Sequence, residues 1–446
     1  MTAKNKRIRA LLCRVLAVLG ALFLVLPAFV LADGNEAPET PTIERAKAAY
    51  LYNFENDTVL FEYRSGEKLY PSSTVKLMTA IVAFEHFSEK LDTPITVTSA
   101  MLAEVSGNRI GFSEGEIVTA EEMLYCMLVN SANDAAIILA HAVAGSTSEF
   151  VKLMNEKAAW LGAYDTYYMN PTGLHDDSMV TTAKDTALIA RCAYSTPGLV
   201  DITSTPKYVM PATNMNDFRN IYNRNCLVSN YYSLEYSYPG ALGLNAGATT
   251  QGGYSIAAVA EDAESGLTYL AVVLGGEEYE GKYYSYVNAV NLLDWAFSAY
   301  GYAEVLTTGR TVCELPVKLS SAIDYVTLVP SESITVYLPT SVDLATDIRY
   351  SYNTYADYLD APVESGEEAG KITVMYGDKI LGSCSLVTTS SIGRSEFLYF
   401  LSRVSEFTKS RFFIGSLAGA AVLSVIYVMI KAAMREKKLR HSYRKR

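Results

Sequence analysis

The order of its patterns predicts an α+β fold for this chain: an antiparallel sheet covered by helices, then a small all-β domain and a C-terminal transmembrane helix. Three observations carry that prediction. Two strand-like runs near residues 48 and 59 precede a long helical stretch, and two further strand-like runs and a helix follow it. From about Gly309 the texture changes to short β-patterned runs separated by turns. Phe412–Ile430 is nineteen residues without a charge, long enough to span a bilayer as a helix.

Residues 1–32 read as a signal peptide or N-terminal anchor. Lys4, Lys6, Arg7, Arg9 and Arg14 precede an uncharged apolar stretch from Val15 to Ala32, which ends Val30-Leu31-Ala32. Residues 33–43 form a polar, proline-containing linker. The first domain, expected over 44–303, opens with the strands Ala48–Asn53 and Val59–Tyr63 around the turn Asn56-Asp57. A helix starts near Ser73, after Pro71, and continues through Leu77-Met78-Thr79-Ala80-Ile81-Val82-Ala83. Helices are expected at 120–143, broken near Asn130, and at 149–161 and 182–195. Strands resume at Tyr254–Ala260 and Thr268–Leu274, and the helix Ser285–Tyr300 closes the domain. The β domain is expected over 309–388, with runs such as Ser333–Leu338 and Lys371–Tyr376. Residues 389–411 connect it to the span 412–430. Residues 431–446 are a basic tail, with eight cations against Glu436. Such a cluster is expected in the cytoplasm, so the rest of the chain is expected to face outward from a single-pass membrane anchor.

Charge and cysteine content narrow the functional classes. The leader carries +5 and the tail +7, and the total of −11 leaves −23 on residues 33–411. An exported part this acidic argues against nucleic acid or an anionic membrane surface as partner. Cys13 lies in the leader, and Cys126, Cys192, Cys226, Cys313 and Cys384 show no CxxC spacing. Mostly buried free thiols are expected, with one or two disulfides left open. His86, His141, His175 and His441 form no ligand pair, and no metal or cofactor is expected. His86 and His141 read as helix-surface residues.

The chemistry centres on Ser73-Thr74-Val75-Lys76. Residues three apart share a helix face, so the Lys76 amine can reach the Ser73 hydroxyl. A neutral lysine there gives a nucleophile its own base, which points to acyl transfer. Ser65-Gly66-Glu67-Lys68 and Ser204-Thr205-Pro206-Lys207 repeat the spacing, but the first lies in a polar turn and the second leads into a strand-like run. Ser131-Ala132-Asn133 supplies a hydroxyl for proton relay and an amide for substrate, at the break between two helices. Ser106-Gly107-Asn108 is a decoy with no helix before it.

With these segments the chain resembles the D-alanyl-D-alanine carboxypeptidases, the low-molecular-weight penicillin-binding proteins, whose signatures are S-x-x-K, S-x-N and K-T-G. The resemblance extends to Ala46-Lys47-Ala48-Ala49-Tyr50, Asn170-Pro171-Thr172-Gly173-Leu174-His175-Asp176 and the β domain, over roughly residues 44–388. It implies a β-lactamase/DD-peptidase-like fold. It also implies hydrolysis of peptidoglycan stem peptides ending in D-Ala-D-Ala, with β-lactams as ligands. By the same resemblance, Ser73 is the nucleophile, Lys76 the base, Ser131 the proton relay and Asn133 the holder of the substrate amide. The backbone N–H groups of Ser73 and Ala248 form the oxyanion hole. The third motif departs from the family: Asn245 stands for lysine, Ala246 for threonine, and only Gly247 survives. Substrate contacts are expected at Asn245, Gly247 and Ala248. Carboxylate and β-lactam binding are expected to be weak unless Thr249, Thr250 or Arg224 substitutes. The alternative is a catalytically impaired homologue that binds or scaffolds the cell wall. A β-lactamase or esterase ranks third.

Overall fold

Five antiparallel strands carry the first of two compact units: β1 (Ala48–Asn53), β2 (Thr58–Tyr63), β3 (Ala241–Thr249), β4 (Gly253–Asp262) and β5 (Leu267–Gly276). They lie in the order β2-β1-β5-β4-β3, so the third-motif strand β3 is an edge. This is a computed structural model, and it describes residues 38–88 and 90–443. The leader 1–32 lies outside the described residues.

Both faces of the sheet are covered, and β5 is buried along its whole length. Its side chains alternate between two cores, as the two-residue period of a strand requires. Leu270, Val272 and Leu274 join one core with α1 (Val75–Phe87), α2 (Ala120–Asn130), α3 (Asn133–Ala144), α4 (Thr147–Trp160) and α5 (Ala183–Ser195). Tyr269, Ala271 and Val273 join the other with Leu292, Leu293 and Ala296 of α6 (Tyr284–Ala299). Helix α1 is buried almost all round, as a central helix must be when apolar on every face. The helix starts follow local chemistry. Thr119 and Glu122 form a capping box on α2, and the Ser146 and Thr182 hydroxyls accept from Glu149 N and Asp185 N at α4 and α5.

The first unit runs to Gly301 and also includes Tyr337–Ser341. That segment is tied in by Thr340 N, which donates to Ala299 O at 2.8 Å, and by the Tyr337 ring stacked on Tyr300. The linker is docked too: Trp295 Nε1 donates to Pro38 O at 3.2 Å.

The second unit holds β6 (Cys313–Lys318), β7 (Tyr325–Pro330), β8 (Ile348–Thr354), β9 (Leu359–Asp360), β10 (Glu368–Tyr376) and β11 (Lys379–Thr388). They form one sheet in the order β8-β10-β11-β7-β6-β9. The expected connector 389–411 contains a helix, α7 (Glu396–Lys409), with Phe397, Phe400, Leu401, Val404 and Phe407 exposed. Helix α8 (Arg411–Tyr443) follows, and within it Arg411–Arg435 is long and apolar enough to cross a membrane.

All five described cysteines are free: Cys126, Cys226 and Cys384 are buried, and Cys192 and Cys313 partly so. His86 is exposed. His141 is partly exposed, and its Nε2 lies 2.9 Å from Glu104. Among the described residues no His, Cys, Asp and Glu cluster could hold a metal ion.

Candidate active site

Ser73 sits in a short 3-10 turn, Ser72–Thr74, that leads into α1. It therefore precedes the α-helix, and Lys76 falls in the helix's first turn. Ser72 is left-handed at φ 50°. Its carbonyl oxygen would lie 2.1 Å from a Cβ at Gly173, so only glycine lets the 170–174 loop close on the turn.

Asn170 builds that loop. Its Oδ1 accepts from Thr172 N at 3.1 Å, Thr172 Oγ1 at 2.9 Å and Gly173 N at 2.8 Å, and its Nδ2 donates to Leu174 O at 2.9 Å. The loop presents two carbonyls to α1. Thr79 Oγ1 donates to Pro171 O at 2.7 Å, and Lys76 Nζ donates to Thr172 O at 2.5 Å. Lys76 is 1% exposed. Burial, and secondarily the Arg224 charge, pulls its pKa from 10.5 down to about 7. Half the amines are then uncharged near neutral pH, each with a lone pair for a hydroxyl proton. The two decoy lysines differ: Lys68 is 60% exposed and paired with Asp165, and Lys207 is exposed.

Ser131 ends α2 in the left-handed region at φ 57° and ψ 37°. A serine in that region is held there by its surroundings. The holder is Asn108, part of the stretch set aside as a decoy. Its Nδ2 donates to Asn130 O at 2.7 Å and Ser131 O at 3.1 Å, and its carbonyl accepts from Asn133 N at 2.7 Å. Asp134, buried at the start of α3, accepts from Ile110 N and Gly111 N and fixes the same loop. Asn133 Nδ2 donates to Ser106 O at 2.7 Å, which leaves Oδ1 for a ligand N–H. Ala132 has extended geometry, φ −73° and ψ 127°, so a side chain is tolerated there.

Strand β3 closes the other side. A Cβ at Gly247 would lie 2.5 Å from Ser73 Oγ, so bare backbone packs against the Ser73 side chain. Asn245 shares that strand face but is 2% exposed, and its Oδ1 has no hydrogen-bond partner among the described residues. Ala246, on the opposite face, belongs to the second core.

A cleft of about 440 Å³ joins these pieces. Ser73, Ser131, Asn133, Gly247 and Ala248 line it, whereas Lys76 and Asn245 lie behind its wall. Arg224 and the rings of Tyr232, Tyr254, Tyr283 and Tyr286 complete it. The sequence reasoning missed the tyrosine wall. Its available signal was the concentration of tyrosines at 231–238 and 283–286.

Residues 35–278 match the family described as D-alanyl-D-alanine carboxypeptidase, and residues 300–394 match the domain described as penicillin-binding protein 5, C-terminal domain. The D-alanyl-D-alanine carboxypeptidase DacF of Bacillus subtilis is 28% identical over 386 residues, which cover 86% of this chain and 94% of DacF. DacB2 of Mycobacterium tuberculosis, another D-alanyl-D-alanine carboxypeptidase, is 32% identical over 238 residues, 53% of this chain and 76% of DacB2. Among solved structures, penicillin-binding protein 5 from Haemophilus influenzae matches with a TM-score of 0.56 at 22% identity, over 80% of this chain and 100% of that one. Penicillin-binding protein 6B from Escherichia coli gives 0.57 at 22% identity, over 79% and 98%. The two structural likenesses establish the fold. The family match spans more than half of the chain, which therefore belongs to the D-alanyl-D-alanine carboxypeptidase family of serine hydrolases.

Proposed function

We propose that the chain removes the terminal D-alanine from peptidoglycan stem peptides through an acyl-enzyme on Ser73. Ser73 Oγ attacks the carbonyl of the penultimate D-alanine and its proton passes to the neutral Lys76. Ser131 relays the proton to the departing amine, so the peptide C–N bond breaks and free D-alanine leaves. Asn133 Oδ1 holds the substrate amide. The N–H groups of Ser73 and Ala248 receive the oxyanion, and a lost donor of that kind lowers the rate about 10²–10³-fold. Water then attacks the Ser73 ester and returns the hydroxyl. The observation that carries this reading is Lys76, wholly buried with its pKa lowered to about 7 beside the nucleophile turn.

Asn245 and Ala246 provide neither the charge nor the hydroxyl of K-T-G. A charged hydrogen bond is worth about 1.5–3 kcal/mol, so weakened carboxylate and β-lactam binding follows. These two residues also favour the second reading, a wall-binding homologue without turnover. D-alanine release and intact mass after benzylpenicillin separate the two. Ser73-dependent release and a slowly formed adduct on Ser73 are expected; release equal in wild type and Ser73→Ala sinks the peptidase reading. In this reading α8 crosses the cell membrane, the cleft faces the wall and the basic tail is cytoplasmic.

A further inference from the structure

A second cavity, of about 730 Å³, lies at the turn from β3 to β4 and shares Ala248, Thr249 and Tyr254 with the catalytic cleft. Three charged side chains also line it: Lys47, just before β1, and Glu277 and Glu278, just after β5. We propose that this cavity receives the side chain of the residue that precedes D-Ala-D-Ala in the stem peptide, and that it selects a side chain ending in both an ammonium and a carboxylate. The inference rests on the peptidase reading above and adds a specificity subsite to it.

In that reading the oxyanion lies at Ala248 N and the leaving carboxylate on the Asn245–Ala246 side, so the acyl part of the substrate runs the other way along β3. An extended chain advances about 3.3 Å per residue. The residue before the acyl D-alanine therefore comes level with Thr249 and the turn, where Thr249, Thr250 and Gln251 line the second cavity. The charges around it are not all satisfied. Glu277 is paired with Arg45 at 3.2 Å, and Arg45 also lies 3.6 Å from the Tyr279 ring centroid. Lys47 and Glu278 have no ion-pair partner among the described residues and do not pair with each other. Opposite charges that line one cavity without meeting complement a ligand carrying the same two charges, and each contact is then a charge-assisted hydrogen bond. Both groups are held in place. Lys47 N donates to Leu274 O at 3.0 Å, and the Lys47 stem lies on Gly275, where a Cβ would come within 2.8 Å of its Cδ. Glu278 Oε2 accepts from Tyr254 OH at 2.7 Å. Tyr254 lines both cavities, so this bond fixes the carboxylate relative to the cleft. A side chain ending in an ammonium alone engages only Glu278, and an apolar one engages neither charge.

The test uses the full chain in detergent and three acetyl-X-D-Ala-D-Ala peptides, in which X is a 2,6-diaminoheptanedioic acid residue, lysine or norleucine. D-alanine release is measured for wild type, Lys47→Met, Glu278→Gln and Ser73→Ala, at low and at high salt. The wild type is expected to prefer the diamino diacid to lysine and lysine to norleucine in kcat/KM, by up to about 5-fold for each charge. Both preferences should shrink at high salt. Lys47→Met should erase the first preference and keep the second, and Glu278→Gln should erase the second. Equal kcat/KM on all three peptides in the wild type, or preferences that survive both substitutions, overturn the subsite while leaving the peptidase reading intact. Absence of Ser73-dependent release from every peptide overturns the peptidase reading and the subsite with it.

Discussion

Lys76 is a group whose ordinary preference is water, and the fold denies it water. A desolvated ammonium is costly, so the proton is released more easily and the pKa falls to about 7. In the proposed mechanism the active form is the neutral amine, so acylation should rise with pH through a midpoint near 7. At pH 6 the rate should be about a tenth of its plateau. A flat profile from pH 6 to 9 would remove Lys76 from the role of base. Gly247 sets a second constraint at this scale. A methyl there would lie 2.5 Å from Ser73 Oγ, closer than any real contact. Gly247→Ala should therefore abolish penicillin labelling while leaving the fold intact by circular dichroism. Labelling within about threefold of wild type would mean that β3 does not press on the nucleophile. The sequence pointed to both residues by spacing. It could not show that the lysine donates to Thr172 O, because that contact joins positions 76 and 172.

At the scale of elements, the helix break between α2 and α3 presents Ser131 and Asn133, and a loop far away in sequence holds the break open. Asn108 makes four hydrogen bonds with residues 130–133, three of them from its side chain. Removing its side chain leaves partly buried carbonyls unpaired, at about 1–3 kcal/mol. Asn108→Ala should lower the melting temperature and reduce kcat, with Ser131→Ala adding little further loss in that background. Additive losses would show that Asn108 acts apart from Ser131. The sequence treated residues 106–108 as a rival to 131–133, since both read Ser-x-Asn. Spelling cannot distinguish a motif from its clamp; the hydrogen bonds do. The helix α7 was missed for a related reason. Its apolar residues follow a helical period, but the stretch lies between a β domain and a membrane span and reads as a connector.

At the scale of the whole molecule, the second of two compact units ends in a helix with no buried residue in its membrane-length segment. An apolar helix exposed over that length needs a nonpolar solvent. Removing residues 396–446 should move the protein from the membrane to the soluble fraction after a high-salt wash, with D-alanine release retained. Continued membrane retention would place the anchor elsewhere in the chain.

The sequence by itself determined the α+β order of elements, the trailing β domain, the apolar C-terminal span and the residues around which the cleft is built. All of these are written in local periodicity, capping residues and short spacings. Only the tertiary structure decided how buried Lys76 is, that Gly247 must stay bare, that Asn108 clamps Ser131, and that Arg224 is the cleft's lone surface charge. Each of those depends on segments from separate parts of the chain meeting in the fold. Desolvation and steric closeness are properties of that meeting, and no stretch of sequence carries them alone.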